Sequence, residues 1–171
     1  MIRREAALAR AGKSGRIIAK MNSIVDEQII ETLYDASRAG VEIDLIVRGI
    51  CCLRPGVEGA SENIRVMSVV GRFLEHSRLF FFANDSEPEY YIGSADWMTR
   101  NFDRRVEAIV PVDDVLLHDK LHSILVTSLD DNREAWDLAP DGTYTQLTPG
   151  DGPVRATQEI FLRDPWGEVP E

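Results

Sequence analysis

The sequence predicts an α/β fold: a mixed sheet flanked by helices in a single domain with a C-terminal helix and hairpin. Three observations lead there. Residues 15–47 alternate strand, helix and strand patterns with short turns, which implies a βαβ unit and a parallel strand pair. Apolar runs of strand length then recur up to residue 112, separated by polar or glycine-bearing turns. A chain of 171 residues, 44% hydrophobic and 28% charged, suits one ordinary core that needs neither metal nor disulfide.

In chain order, "REAALARA" is a short helical lead-in, and "GRIIAKMN" (15–22) is a strand with Ile17, Ile18 and Ala19 as its apolar centre. In "VDEQIIETLYDASRAG" (25–40), Ile29, Ile30, Leu33 and Tyr34 recur at helical spacing, acids fill the first turn and Gly40 supplies the stop. "VEIDLIV" (41–47) is the second strand. The glycines and proline of "RGICCLRPGVEGASEN" (48–63) predict a long loop at its carboxyl end, where ligands of open α/β sheets bind. "IRVMSVV" (64–70) is a further strand, "GRFLEH" (71–76) a short turn or helix, and "RLFFFA" (78–83) a strand. "NDSEPE" turns into "YYIGSA" (90–95), "DWMTRNFDRR" is a loop or short helix, and "VEAIVPV" (106–112) is expected as the last core strand. An amphipathic helix is predicted from about residue 113 to about 135, with Val115, Leu116, Leu121, Ile124, Leu125 and Leu129 on its apolar face. "WDLAPDGTYTQL" predicts a hairpin around Asp141-Gly142. The expected division is a body at 1–135 and a peripheral hairpin with a loose tail at 136–171.

No apolar run approaches the roughly 20 residues that cross a bilayer, and "MIRREAALARAGK" lacks the apolar block of a secretory signal. A cytoplasmic protein without a membrane span is expected. The adjacent Cys51 and Cys52 read as reduced, partly buried thiols. The net charge is −10, but residues 1–47 hold seven basic and seven acidic side chains, 48–105 eight and eight, and 106–171 four and fourteen. No nucleic-acid partner is expected, and the imbalance belongs to the last third alone. All eight bases of the middle third are arginines, whose planar forks suit phosphate or carboxylate. Composition leaves two readings open, an arginine-lined pocket or the arginine codons of a GC-rich genome.

Two apparent motifs carry little. "GKS" (12–14) has the ending of a phosphate-binding loop, but Ala7 stands where its partner glycine belongs and no strand precedes it. His118 and His122 lie one helical turn apart around Asp119, yet no third metal ligand is evident. His76 is different, because apolar strands deliver Lys20, Asn22, Arg48, His76, Arg78, Ser94 and Asp96 to one edge of the sheet. An imidazole serves as acid, base or nucleophile, and arginines neutralise a phosphoryl group as charge develops. The pattern fits phosphoryl chemistry, although on pattern alone a structural histidine is the simpler reading.

The stretches "GRIIAKMNSIVDEQIIETLYDASRAGVEIDLIVRGICCLRPG", "SENIRV", "GRFLEHSRLFFF" and "YIGSADWMTRNFDRRVE" resemble the C-terminal domain of bacterial polyphosphate kinase, a phosphohistidine family with a phospholipase-D-like fold. The similarity runs in register from about residue 5 to about residue 130. It implies reversible transfer of the ATP γ-phosphate to inorganic polyphosphate, with Mg2+ accompanying ATP. By the same resemblance Arg48 contacts nucleotide or phosphate and His76 is catalytic. Arg78 and Ser94 take the places of a phospholipase-D half-site, and Lys20 and Asn22 are further pocket residues; Asp96, from the strand-edge pattern, joins the phosphate-binding set. The resemblance also implies partners: ATP or ADP, polyphosphate, the preceding domains of the same kinase, and a homo-oligomeric full-length enzyme. In that family the phosphorylated histidine belongs to a preceding domain to which nothing in these 171 residues corresponds, so half of an active site, inactive alone, is expected. Two alternatives remain. A phospholipase-D-like phosphodiesterase is weakened by Arg78 in the usual lysine position and by Ala83 in that of the motif aspartate. The other is a non-catalytic module that binds polyphosphate or a nucleotide.

Overall fold

The computed structural model describes residues 1–166. Strand β1 (Arg16–Met21), helix α2 (Glu27–Arg38) and strand β2 (Glu42–Val47) follow helix α1 (Ile2–Arg10), and β1 and β2 pair in parallel from Arg16↔Glu42 to Met21↔Val47. The Asp26 side chain starts α2 by accepting the Ile29 N–H at 3.1 Å, which satisfies one of the donors a helix start leaves free. Strand β3 (Ile64–Val69) extends the parallel set, while β4 (Leu79–Phe82) lies antiparallel on the other side of β1. Next come β5 (Glu89–Gly93), α3 (Thr99–Asp103), β6 (Ile109–Pro111), α4 (His118–Leu129), β7 (Ala135–Leu138), β8 (Tyr144–Gln146) and α5 (Thr157–Arg163). All eight strands form one mixed sheet in the order β6-β5-β4-β1-β2-β3-β7-β8.

The central strands are apolar on both faces because helices cover both. Ile17, Ala19 and Met21 of β1 face Leu33 and Ala36 of α2 and Ala6 of α1, whereas Ile18 joins Ile46, Met67, Phe81 and Leu125 on the opposite side. The two-residue period of a strand thus feeds two cores at once. Fully burying a side chain such as Leu33 or Leu125 contributes about 1.5–3 kcal/mol.

Four expectations need correction. Strand β6 is the edge of the sheet, paired only with β5 and exposed along its length, and is not a core strand. The segment 71–76 forms neither helix nor regular turn. Helix α4 stops at Leu129, since the buried Asp131 carboxylate accepts the N–H groups of Arg133, Glu134 and Ala135 and turns the chain into β7. Of its predicted apolar face, Val115 and Leu116 lie in a preceding 3-10 turn, 68% and 78% exposed. The hairpin is also no appendage: β7 pairs with β3 at Met67↔Asp137, Ser68↔Trp136 and Val69↔Ala135, and the expected loose tail contains α5 with Thr157 and Gln158 buried. Residues 167–171 of that tail lie outside the described residues.

Candidate functional site

Parallel strands β1 and β2 end side by side, so the residues that follow each meet at one edge of the sheet. Arg48 follows β2 and Asn22 follows β1, and the Arg48 Nε donates to Asn22 Oδ1 at 2.7 Å. Gly49 makes this approach possible. Its N–H donates to the Asn22 carbonyl at 2.8 Å, and a Cβ there would stand 2.8 Å from that same oxygen. The loop after β5 reaches under the pair because the Trp97 carbonyl accepts the N–H of Val25 at 2.9 Å and of Asp26 at 3.1 Å. Trp97 itself stacks on Phe80, with ring centroids 5.4 Å apart.

That loop carries Asp96, 4% exposed, at the centre of the network. Its Oδ1 accepts the Asn22 backbone N–H at 2.7 Å and the Asn22 side-chain amide at 3.0 Å. The Arg78 guanidinium donates two parallel bonds to the same carboxylate, Nε to Oδ1 and Nη2 to Oδ2, each 3.1 Å long. Burial alone would push the Asp96 carboxyl up, but the fork from Arg78 and the donors of Asn22 outweigh it and hold the group below its ordinary range. Asp96 stays ionised and organises the cluster.

His76 closes the group from the segment before β4. The Arg48 Nη2 lies 3.3 Å from His76 Nδ1, and a guanidinium has only donors, so Nδ1 accepts. Arg78 Nη1 holds the His76 carbonyl at 3.1 Å. The imidazole is exposed and Arg48 half-buried, so both remain open to an incoming anion.

Of the seven residues singled out from the sequence, Asn22, Arg48, His76, Arg78 and Asp96 are joined directly. Lys20 reaches the group one step removed, through an ion pair with Glu75 beside His76. The Ser94 side chain turns to other partners: its hydroxyl donates to Glu107, which accepts as well from Asn101, and it accepts the Ala108 N–H at 3.1 Å. The Ser94 bond is the main reason the Glu107 carboxyl lies below its ordinary range. Sequence reasoning missed Glu75, Glu107 and Asn101. Glu75 stood in "FLEHS", where a carboxylate next to an exposed imidazole was the available signal, whereas nothing local marked Glu107. His118 is half-buried and His122 exposed, and both are turned to other partners, with His118 Nε2 2.7 Å from the Val112 carbonyl and His122 Nδ1 3.1 Å from the Tyr90 hydroxyl.

Fold and cluster together define a mixed α/β domain that presents a guanidinium and an imidazole at the ends of its central strands. Comparison with known proteins supports the architecture and narrows it. Two solved structures share the fold at a TM-score of 0.54: NucT from Helicobacter pylori, 13% identical over 75% of this chain and 87% of its own, and the phospholipase D family member Nuc from Salmonella typhimurium, 16% identical over 79% and 88%. The crystal structure of polyphosphate kinase from Porphyromonas gingivalis superimposes with a TM-score of 0.91 at 42% identity, covering 95% of this chain and 25% of that one. A polyphosphate kinase of Synechocystis sp. is 60% identical over 100% of this chain and 24% of its own length, and one of Pseudomonas aeruginosa 51% over 95% and 24%. The family model for polyphosphate kinase C-terminal domain 2 matches residues 1–158. The chain belongs to that family, and it spans about a quarter of the length of the curated relatives it matches.

Proposed function

We propose that this chain supplies the C-terminal half of the active site of a polyphosphate kinase, which moves the ATP γ-phosphate reversibly onto inorganic polyphosphate. The observation that carries the reading is Arg48, whose guanidinium is shared between Asn22 and His76 while staying accessible at the strand ends. An anion entering there would meet a positioned fork and an imidazole together. Phosphoryl transfer needs little covalent help from the protein beyond positioning and charge neutralisation, which this arrangement provides. In this reading Arg48 binds the phosphoryl oxygens, and the His76 imidazole assists by hydrogen bonding or proton donation. Asp96, Asn22 and Arg78 hold the two in place, and Lys20 and Ser94 brace the rim through Glu75 and Glu107. The phosphoaccepting histidine would come from a preceding domain of the longer protein.

Among the described residues no group of three or more His, Cys, Asp or Glu side chains is placed to hold a metal ion. In this reading magnesium enters as the companion of ATP, held largely by the phosphates and water. The proposal carries with it a cytoplasmic compartment, where ATP is available, and a homo-oligomeric full-length enzyme. No helix among the described residues is long and apolar enough to cross a membrane.

Titration of the chain with inorganic tripolyphosphate tests the site. Binding should weaken as salt rises and fall at least about tenfold in Arg48→Ala, a loss of about 1.4 kcal/mol. Equal binding by wild type and Arg48→Ala would contradict the assignment.

A further inference from the structure

Segment 70–78 contains no helix or strand, yet it carries both Glu75 and His76. It is gripped at intervals. The Val70 N–H donates to the Glu134 carbonyl at 3.0 Å, Lys20 pairs with Glu75, and Arg48 and Arg78 hold His76. Midway, the side-chain amide of Gln158 on α5 makes both bonds of the Phe73 backbone: the Phe73 N–H donates to Oε1 and Nε2 donates to the Phe73 carbonyl, each at 2.7 Å. One side chain thus does for this loop what a neighbouring strand does in a sheet.

The clasp is built in. Gln158 is 6% exposed, and its own N–H donates to Glu134 Oε2 at 3.4 Å. Gly71 leaves the room it needs, since a Cβ there would stand 2.4 Å from Gln158 Oε1 and 2.6 Å from Glu134 Oε1. The start of α5 is tied down in turn, with Thr157 N donating to Asp131 Oδ2 at 2.7 Å and Thr157 Oγ1 to the Thr127 carbonyl at 3.2 Å. Neither Gln158 nor Phe73 belongs to the two hydrophobic cores, and the Phe73 side chain is itself exposed. What the clasp orders is the loop.

We propose that Gln158 is a positioning residue for the strand-end cluster. Its grip on Phe73 sets where the loop presents His76, so the C-terminal helix governs the affinity of the site for phosphate chains. The effect on affinity rests on the function proposed above, whereas the placement of His76 does not.

The experiment compares the chain with Gln158→Ala, Gln158→Glu and Gly71→Ala. The Glu variant keeps the acceptor but loses the donor to the Phe73 carbonyl, and the Ala at 71 forces the clasp apart with Gln158 intact. Ring-proton NMR signals of His76 are read against those of His118 and His122, together with exchange of the Phe73 amide and binding of inorganic tripolyphosphate. All three variants should move the His76 signals alone and speed Phe73 exchange at least about tenfold. Affinity should fall about fivefold, the effect of one hydrogen bond of ordinary net strength. Unmoved His76 signals in folded variants would overturn the proposal, and Gly71→Ala decides the matter if the Gln158 variants do not fold. A wild type that binds no tripolyphosphate would defeat the proposed function instead, and the His76 signals would then judge the positioning alone.

Discussion

At Arg48 two requirements meet: the side chain must be held still, and its charge must stay accessible. Asn22 and His76 satisfy the first, and its place beyond the last residue of β2 satisfies the second. His76→Ala should therefore lower tripolyphosphate affinity several-fold while the melting temperature stays within a few degrees of wild type, as expected for exposed groups outside the core. His118→Ala, which removes contacts to the Val112 carbonyl and the Tyr90 ring away from the cluster, should leave binding unchanged. Asp96 is the opposite case. It forms a buried pair with Arg78, the side chains 6% and 11% exposed, so Asp96→Ala should cost about 3–5 kcal/mol by leaving a buried guanidinium without its partner. The sign of its pH dependence follows from a lowered carboxyl. Its stabilisation is fully present above the ordinary value of 3.8 and is lost as pH falls through the lower folded value. Denaturant melts below pH 4 should thus show a shallower acid loss in Asp96→Asn than in wild type.

Most elements were legible where one local signal settled them. The pattern of Ile29, Ile30, Leu33 and Tyr34, with Asp26 before it, defines α2 to within a few residues of its observed span. The apolar runs at 15–22 and 41–47 defined β1 and β2, and their order forced the parallel pairing. Where tertiary contacts decide, local signals misled. "VEAIVPV" is apolar enough for a core strand, but sheet order leaves β6 at an edge, a fact no local window contains. Leu116 fits the helical pattern of α4 while the chain there is a 3-10 turn, and only Asp131 shows where α4 must give way to β7. The element scale thus makes a paired prediction for chemical denaturation. Leu125→Ala should cost about 2–5 kcal/mol, and Leu116→Ser should stay within about 0.5 kcal/mol of wild type. Of the candidate site, the strand-end residues were legible because each closes or opens an apolar run. Glu107 was not, because the contact that brings it to Ser94 depends on the pairing of β5 with β6.

For the whole molecule, the charge asymmetry has a structural counterpart. The strand-end cluster draws its cations from the balanced middle of the chain, Arg48 and Arg78, while the acidic last third builds α4, the hairpin and α5. Those later elements are still coupled to the site, through β7 on β3 and through Gln158 on Phe73. The chain corresponds to about a quarter of its relatives, and the one imidazole of its strand-end cluster, His76, is already engaged by Arg48. In the proposed reading the chain supplies half of a divided active site. The most direct measurement is ATP-dependent synthesis of polyphosphate by this chain alone, and then by the chain mixed with the separately expressed preceding part of the longer protein. Activity only in the mixture, abolished by Arg48→Ala or His76→Ala in this half, is the predicted result. Synthesis by the chain alone would mean that a residue within it accepts the phosphoryl group, and would contradict the divided site.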